Sequence, residues 1–257
     1  MHRTLRTARS AVLAALMGTA VAACGTAQGG GGPSRALATV SATADDVAGH
    51  DEESGQSARQ LIERANDTMR SLAFSGVGST TSFDGGVTLI DWNPDRGLHM
   101  SYSATADDRQ DMYCKDGLLY TSAPLLARSL GSQGVDITVP DRLRDVYVTK
   151  ETGESCAIYF VIPSSGTYAP DKDTTVNGSR ARAIEVRSSG TSSVYYVSAD
   201  DPARILKLKS VHNGRTSSTA YSDFGKKQNF TLPGPDRTMT MEEFRGEVDG
   251  AHPADGQ

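Results

Sequence analysis

The chain has no apolar run long enough to cross a bilayer. Its best candidate, AVLAALMGTAVAA at residues 11–23, is 13 residues long. As a helix that run extends about 20 Å, against a hydrocarbon core of roughly 30 Å. Cysteine is scarce, with three in 257 residues, and Trp92 is the only tryptophan. No C-x-x-C occurs, and no cysteine lies near a histidine pair, so zinc-ligand spacing is missing. G-x-S-x-G, S-x-x-K, H-E-x-x-H and a Gly-rich phosphate loop are absent as well, which removes the usual nucleophile, metal and nucleotide constellations. No motif calls for a cofactor or a metal, and none marks the chain as an enzyme. Basic residues are outnumbered, 26 against 31 acidic, and form no stripe. Charge-driven binding to DNA, RNA or an anionic lipid surface is disfavoured on that balance.

What is present begins at the N-terminus. Arg3, Arg6 and Arg9 precede the apolar run without an acid among them, giving the charged and apolar regions of a signal peptide over residues 1–23. Val21, Ala22, Ala23 and Cys24 then form a bacterial lipobox, in which the cysteine thiol takes a diacylglyceryl group and becomes the first mature residue. The alternative is an ordinary signal peptide cleaved nearby, leaving a secreted protein. No paired Arg-Arg precedes the apolar run, which points to general secretion. Cleavage removes three arginines and no acid, so the mature chain is three charges more negative than the −5 of the whole sequence.

An exported chain with three cysteines leaves one unpaired. With Cys24 carrying lipid the remainder is even, and Cys114 and Cys156 can bridge in an oxidising compartment. The loop closed would be roughly 43 residues, worth up to about 4 kcal/mol in the chain-entropy view. Two buried free thiols are the alternative.

Residues 24–56 are rich in Gly, Ser, Ala, Thr and acids, without apolar periodicity, and read as a lipidated cysteine followed by a disordered tether. Residues 233–257, from PGPDR to AHPADGQ, read as a flexible tail, apart from a turn of helix at MEEF. Residues 57–232 are long enough for one domain with its own core. In SARQLIERANDTMRSLA, Ser57 and Gln60 fit a capping box, and Leu61, Ile62, Ala65, Met69 and Leu72 share a helical face. Beyond Leu72 the period becomes two, and turn signals recur at FDGG, NPDRG, KDG, NG, SSG, DDP and a second NG. These predict consecutive antiparallel strands. GLHMSYS puts Leu98, Met100 and Tyr102 on one face and His99, Ser101 and Ser103 on the other. APLLARSLG predicts a short helix, whereas GESCAIYFVIPSSG fits either a short helix or a strand.

Of five histidines, only His99 and His212 fall within the domain, and both read as surface or structural residues on strands. The acids of DDRQD at 107–111 and of DKDTTVNG at 171–178 read as solvated loop residues. An EF-hand frame on the second would require Asp or Asn and then Gly where Thr175 and Val176 stand. Asn177 and Gly178 suit a type I′ hairpin turn.

The succession of lipobox, tether, ARQLIERANDTMRSL, KDGLLYTS, DTTVNGSRARAIEV, SVYYVSADDPARILKLKS and TAYSDFGKKQNFTLP resembles the LolA/LppX-like lipoproteins of actinobacteria over about residues 57–233. The resemblance implies an α+β fold: a curved antiparallel half-barrel covered by an N-terminal amphipathic helix and a short helical middle segment. It also implies a hydrophobic space for acyl chains of lipids or lipoproteins. Leu61, Ile62, Met69, Leu98, Met100 and Tyr102 are its candidate walls, or simply core. The expected partners are the membrane, through lipid on Cys24 at the extracytoplasmic face, and a lipid or lipoprotein ligand. Alternatively, the domain is a surface-tethered module that binds an envelope protein.

Overall fold

Alternation of apolar and polar residues builds a single sheet of 13 strands among the described residues. The computed structural model describes residues 45–80, 86–105 and 108–249, with side chains from Ser57 to Val248; Cys24 and the stretch read as a signal peptide lie outside these. Helix α1 (Asp45–Ser71) is followed by β1 (Phe74–Ser79), β2 (Val87–Asn93), β3 (Gly97–Ser103), β4 (Arg109–Lys115), β5 (Leu118–Ser122), α2 (Ala123–Gly131) and β6 (Tyr147–Glu151). Then come β7 (Thr167–Tyr168), β8 (Thr174–Val176), β9 (Ser179–Ser188), β10 (Thr191–Ser198), β11 (Ile205–His212), β12 (Arg215–Ser222), β13 (Thr238–Thr240) and α3 (Met241–Asp249). The strand order is β13-β6-β5-β4-β3-β2-β1-β12-β11-β10-β9-β7, with β8 also on β9. Apart from the parallel β13–β6 pair, neighbours are antiparallel. The sheet is curved and unclosed, so the α+β half-barrel expected from the sequence is the fold observed.

Period-two patterning decides which side of each strand faces the helix. In β2, Thr88, Ile90 and Trp92 are buried while Val87 and Leu89 are exposed. Asn177 and Gly178 have φ of 49° and 84°, the left-handed pair that a type I′ turn needs. Gly78 lies so close to β12 that a Cβ there would collide with the Ser218 carbonyl, which keeps the β1–β12 seam tight.

The helical face read from the sequence holds. Leu61, Ile62, Ala65 and Met69 are buried in one cluster with Phe74, Ile90, Leu98, Met100, Ile184, Val197 and Ile205. Asn66, on the same buried side, fastens α1 to the segment between β6 and β7. Its Nδ2 donates to the Ile162 carbonyl at 2.8 Å and its Oδ1 accepts the Ile162 N–H at 2.8 Å. Cys114 and Cys156 form a disulfide with Cα atoms 5.6 Å apart. It ties β4 to a 3-10 turn at Cys156–Tyr159.

Two boundaries differ from the sequence reading. Helix α1 starts at Asp45, inside the stretch read as tether, so Ser57 is an internal helical residue and not its cap. The segment read as a tail, 233–257, carries ordered structure up to Asp249. Its strand β13 pairs with β6, and Phe244 and Val248 of α3 are buried with Ala123, Leu143 and Val148. Two apolar residues four apart are enough to dock a short helix, but too few to stand out as a period.

Candidate functional site

The concave side of the sheet is the candidate site, and strand register sets its lining in rows. The innermost row runs through Met100, Ile90, Gly76 and Tyr221. The next contains Tyr102, Thr88, Gly78, Thr219, Leu208 and Tyr195. A third is Ser217, Ser210 and Ser193, with the Ser193 and Ser210 hydroxyls 2.8 Å apart. Lining therefore grades from apolar to hydroxyl-bearing along the strands. Burial raises the phenol pKa values of Tyr221, Tyr102, Tyr195 and Tyr159, so they stay neutral. Thr88 is buried, and its Oγ1 has no hydrogen-bond partner among the described residues.

Cover comes from α1 and from residues 156–162. Phe160 is buried against Phe74, ring centroids 5.0 Å apart at 85°, and against Trp92 at 4.9 Å. Trp92 in turn donates its indole N–H to the Arg70 carbonyl at 3.3 Å. The cover is not uniform. Tyr102, Tyr159, Val161, Val186 and Leu208 pack against the core while remaining partly exposed.

All six candidate wall residues meet in this one cluster: Leu61, Ile62 and Met69 from α1, and Leu98, Met100 and Tyr102 from β3. Sequence reasoning missed Phe160 and Ile162, which occupy its centre. Their signal was the apolar run CAIYFVI, which obeys neither helical nor strand period because a 3-10 turn interrupts it. A separate cleft of about 580 Å³ opens at the end of β2 away from Thr88, with Trp92, Gly97, Lys115, Leu118, Glu151 and Cys156 among its lining.

On the convex side, His99 is buried between two carboxylates. Its Nε2 lies 2.8 Å from Asp111 and its Nδ1 3.8 Å from Asp91. The ring stacks on Tyr113 at 4.4 Å, with Phe230 at 5.6 Å. Phe230 belongs to a strap held where Asn93 donates to the Gln228 carbonyl and Arg96 to that of Phe230, both at 3.0 Å. Burial opposes charging of His99, but the hydrogen bonds of Asp111 and Asp91 outweigh it and raise the pKa. The carboxylates occupy opposite ring nitrogens, which is an ion-pair arrangement and not a shared metal site. Among the described residues no group of three or more His, Cys, Asp or Glu could hold a metal. The loop acids have structural contacts. Asp108 meets Arg128 at 2.5 Å, and Asp173 accepts from the Ala183 N–H at 2.8 Å and the Tyr168 hydroxyl at 2.5 Å.

A raised His99 pKa means that stability from this cluster is fully present below the unfolded value near 6.5 and is lost as pH rises through the folded value. The unfolding free energy of the wild type should therefore fall above pH 6.5 relative to that of His99→Gln. Urea unfolding at pH 6 and pH 8.5 checks this, and parallel pH dependence in the two proteins would contradict the ion-pair assignment.

No protein-family model matches the sequence, and no curated protein matches it. Solved structures do. LprF from Mycobacterium bovis is similar at TM-score 0.39 and 10% identity, over 70% of this chain and 97% of that one. LppX from Mycobacterium tuberculosis is similar at TM-score 0.43 and 8% identity, over 68% and 99%. A LolA superfamily protein from Nitrosomonas europaea is similar at TM-score 0.29 and 11% identity, over 68% and 94%.

Proposed function

We propose that the protein is a membrane-anchored extracytoplasmic lipoprotein, non-catalytic, that binds a lipid or other amphiphile in the hollow of its half-barrel. The partly exposed apolar residues of the concave face and of its cover carry this reading. Tyr102, Tyr159, Val161, Val186 and Leu208 border a buried core on one side and hydroxyl-bearing rows on the other, so an alkyl chain and a polar head each have a matching surface. Anchoring rests on the lipobox at Cys24 and on the signal sequence before it. Among the described residues no helix is long and apolar enough to cross a membrane.

A second reading has its own observation. Phe160 and Ile162 already fill the space between α1 and the sheet, as they would in a surface-tethered protein-interaction module without a ligand cavity. Native mass spectrometry of the chain from residue 24 onward, after exposure to fatty acid or detergent, separates the two. Retained amphiphile is the expected result, with a change in Trp92 emission as it approaches the Phe160 contact. A chain that is ligand-free under every loading condition sinks the first reading and leaves the second.

A further inference from the structure

The acidic balance of this chain hides one face that carries no acid. Strands β1, β12, β11 and β10 are neighbours in the sheet, and not one contains Asp or Glu. On their convex side, register aligns Val77 with Ala220, Ala220 with Lys207, and Lys207 with Tyr196. The adjacent positions include Ser218, Lys209 and Val194. Val77 also faces Leu89 on β2, and Ser79 faces Val87. Val77, Val87, Leu89 and Val211 are 55%, 46%, 37% and 42% exposed. Scattered exposed valines need no explanation, but cross-strand neighbours sharing a face with two lysines form a patch. The bordering acids are engaged. Glu185 meets Lys172 at 2.8 Å and Arg187 at 3.0 Å, and Asp91 meets His99 and Ser75.

We propose that this convex face docks on the surface of an anionic lipid bilayer, with Lys207 and Lys209 on headgroups and Val77, Val87, Leu89 and Val211 against the interface. Charge complementarity selects that occupant. The acidic chain as a whole is repelled by an anionic surface, whereas β1, β12, β11 and β10 offer Lys207 and Lys209 and no carboxylate, and the acids of the bordering strands, Asp91 and Glu185, are already paired. Each such lysine is attracted to an anionic leaflet, the exposed apolar side chains add burial at the interface, and a second attachment to the same membrane would strengthen the contact by raising its effective concentration. The inference is independent of amphiphile binding, since it concerns the opposite side of the sheet.

The test uses the chain from residue 24 with Cys24→Ser, which has no acyl group and retains the whole compact unit Ala44–Gln257. It should sediment with mixed phosphatidylglycerol–phosphatidylcholine vesicles at low salt and not with pure phosphatidylcholine. Lys207→Glu/Lys209→Glu should bind more than about tenfold more weakly and load amphiphile unchanged. Should that variant fold poorly, acetylation of the unsubstituted chain gives the same answer, because the vesicles should shield Lys207 and Lys209 but not Lys150. Binding indifferent to lipid charge, or equal labelling of the three lysines with and without vesicles, overturns the proposal. So does the absence of vesicle binding, which would assign the face to a protein surface.

Discussion

Phe160→Ala is expected to destabilise the protein by about 3–5 kcal/mol, a large part of the roughly 5–15 kcal/mol that holds a domain together. The ring is buried, meets Phe74 edge-on and lies against Trp92, so truncation loses transfer free energy and aromatic contacts and leaves a void. Urea unfolding measures the loss. The same variant bears on function, because the void lies between helix and sheet where an alkyl chain would lie. A fatty acid or detergent below its micellar concentration should raise the melting temperature of Phe160→Ala more than that of the wild type, as binding to the folded state requires. Equal shifts would mean that amphiphiles do not enter beside Phe160.

Removal of the disulfide should have the next largest effect. Cys114 and Cys156 are 42 residues apart in sequence, and releasing a loop of that size costs about 2–4 kcal/mol. Cys114→Ala/Cys156→Ala is preferable to either single substitution, which would leave a free thiol. Beyond a lower unfolding midpoint, the double variant should be cleaved faster by protease between residues 152 and 166, since that segment then keeps its place only through non-covalent contacts, among them the Asn66–Ile162 and Thr152–Gly117 hydrogen bonds and the Phe160 ring contacts. An unchanged midpoint and cleavage rate would show that the cross-link does not restrain the cover.

Where one side of an element is apolar and the other polar, the sequence was legible. Leu61, Ile62 and Met69 announce the buried face of α1, Leu98 and Met100 that of β3, and Asn177 with Gly178 the hairpin between β8 and β9. Residues 156–162 were not legible, because a 3-10 turn has too few residues to display a period and its apolar side chains point to several neighbours. The early start of α1 was hidden by an acid- and glycine-containing stretch with no apolar stripe. Burial of α3 depends on a partner surface, built by Ala123 and Val148, that lies about a hundred residues earlier in the chain. Patterning likewise names the wall candidates without fixing how far apart facing walls stand, which is a property of sheet curvature.

The seam between β1 and β12 determines when this molecule can become whole. Ser75 pairs with Ser222, and the last strand, β13, docks beside β6 at the far margin of the sheet. Residues up to Ser222 must therefore be available before β1 has both its neighbours, and residues up to Thr240 before β6 does. Such distant pairing slows folding. On the export route proposed above, where a chain passes a translocation channel as an extended thread, lateness of this kind is protective: the half-barrel cannot close before its C-terminal strands are through, and assembly waits for them.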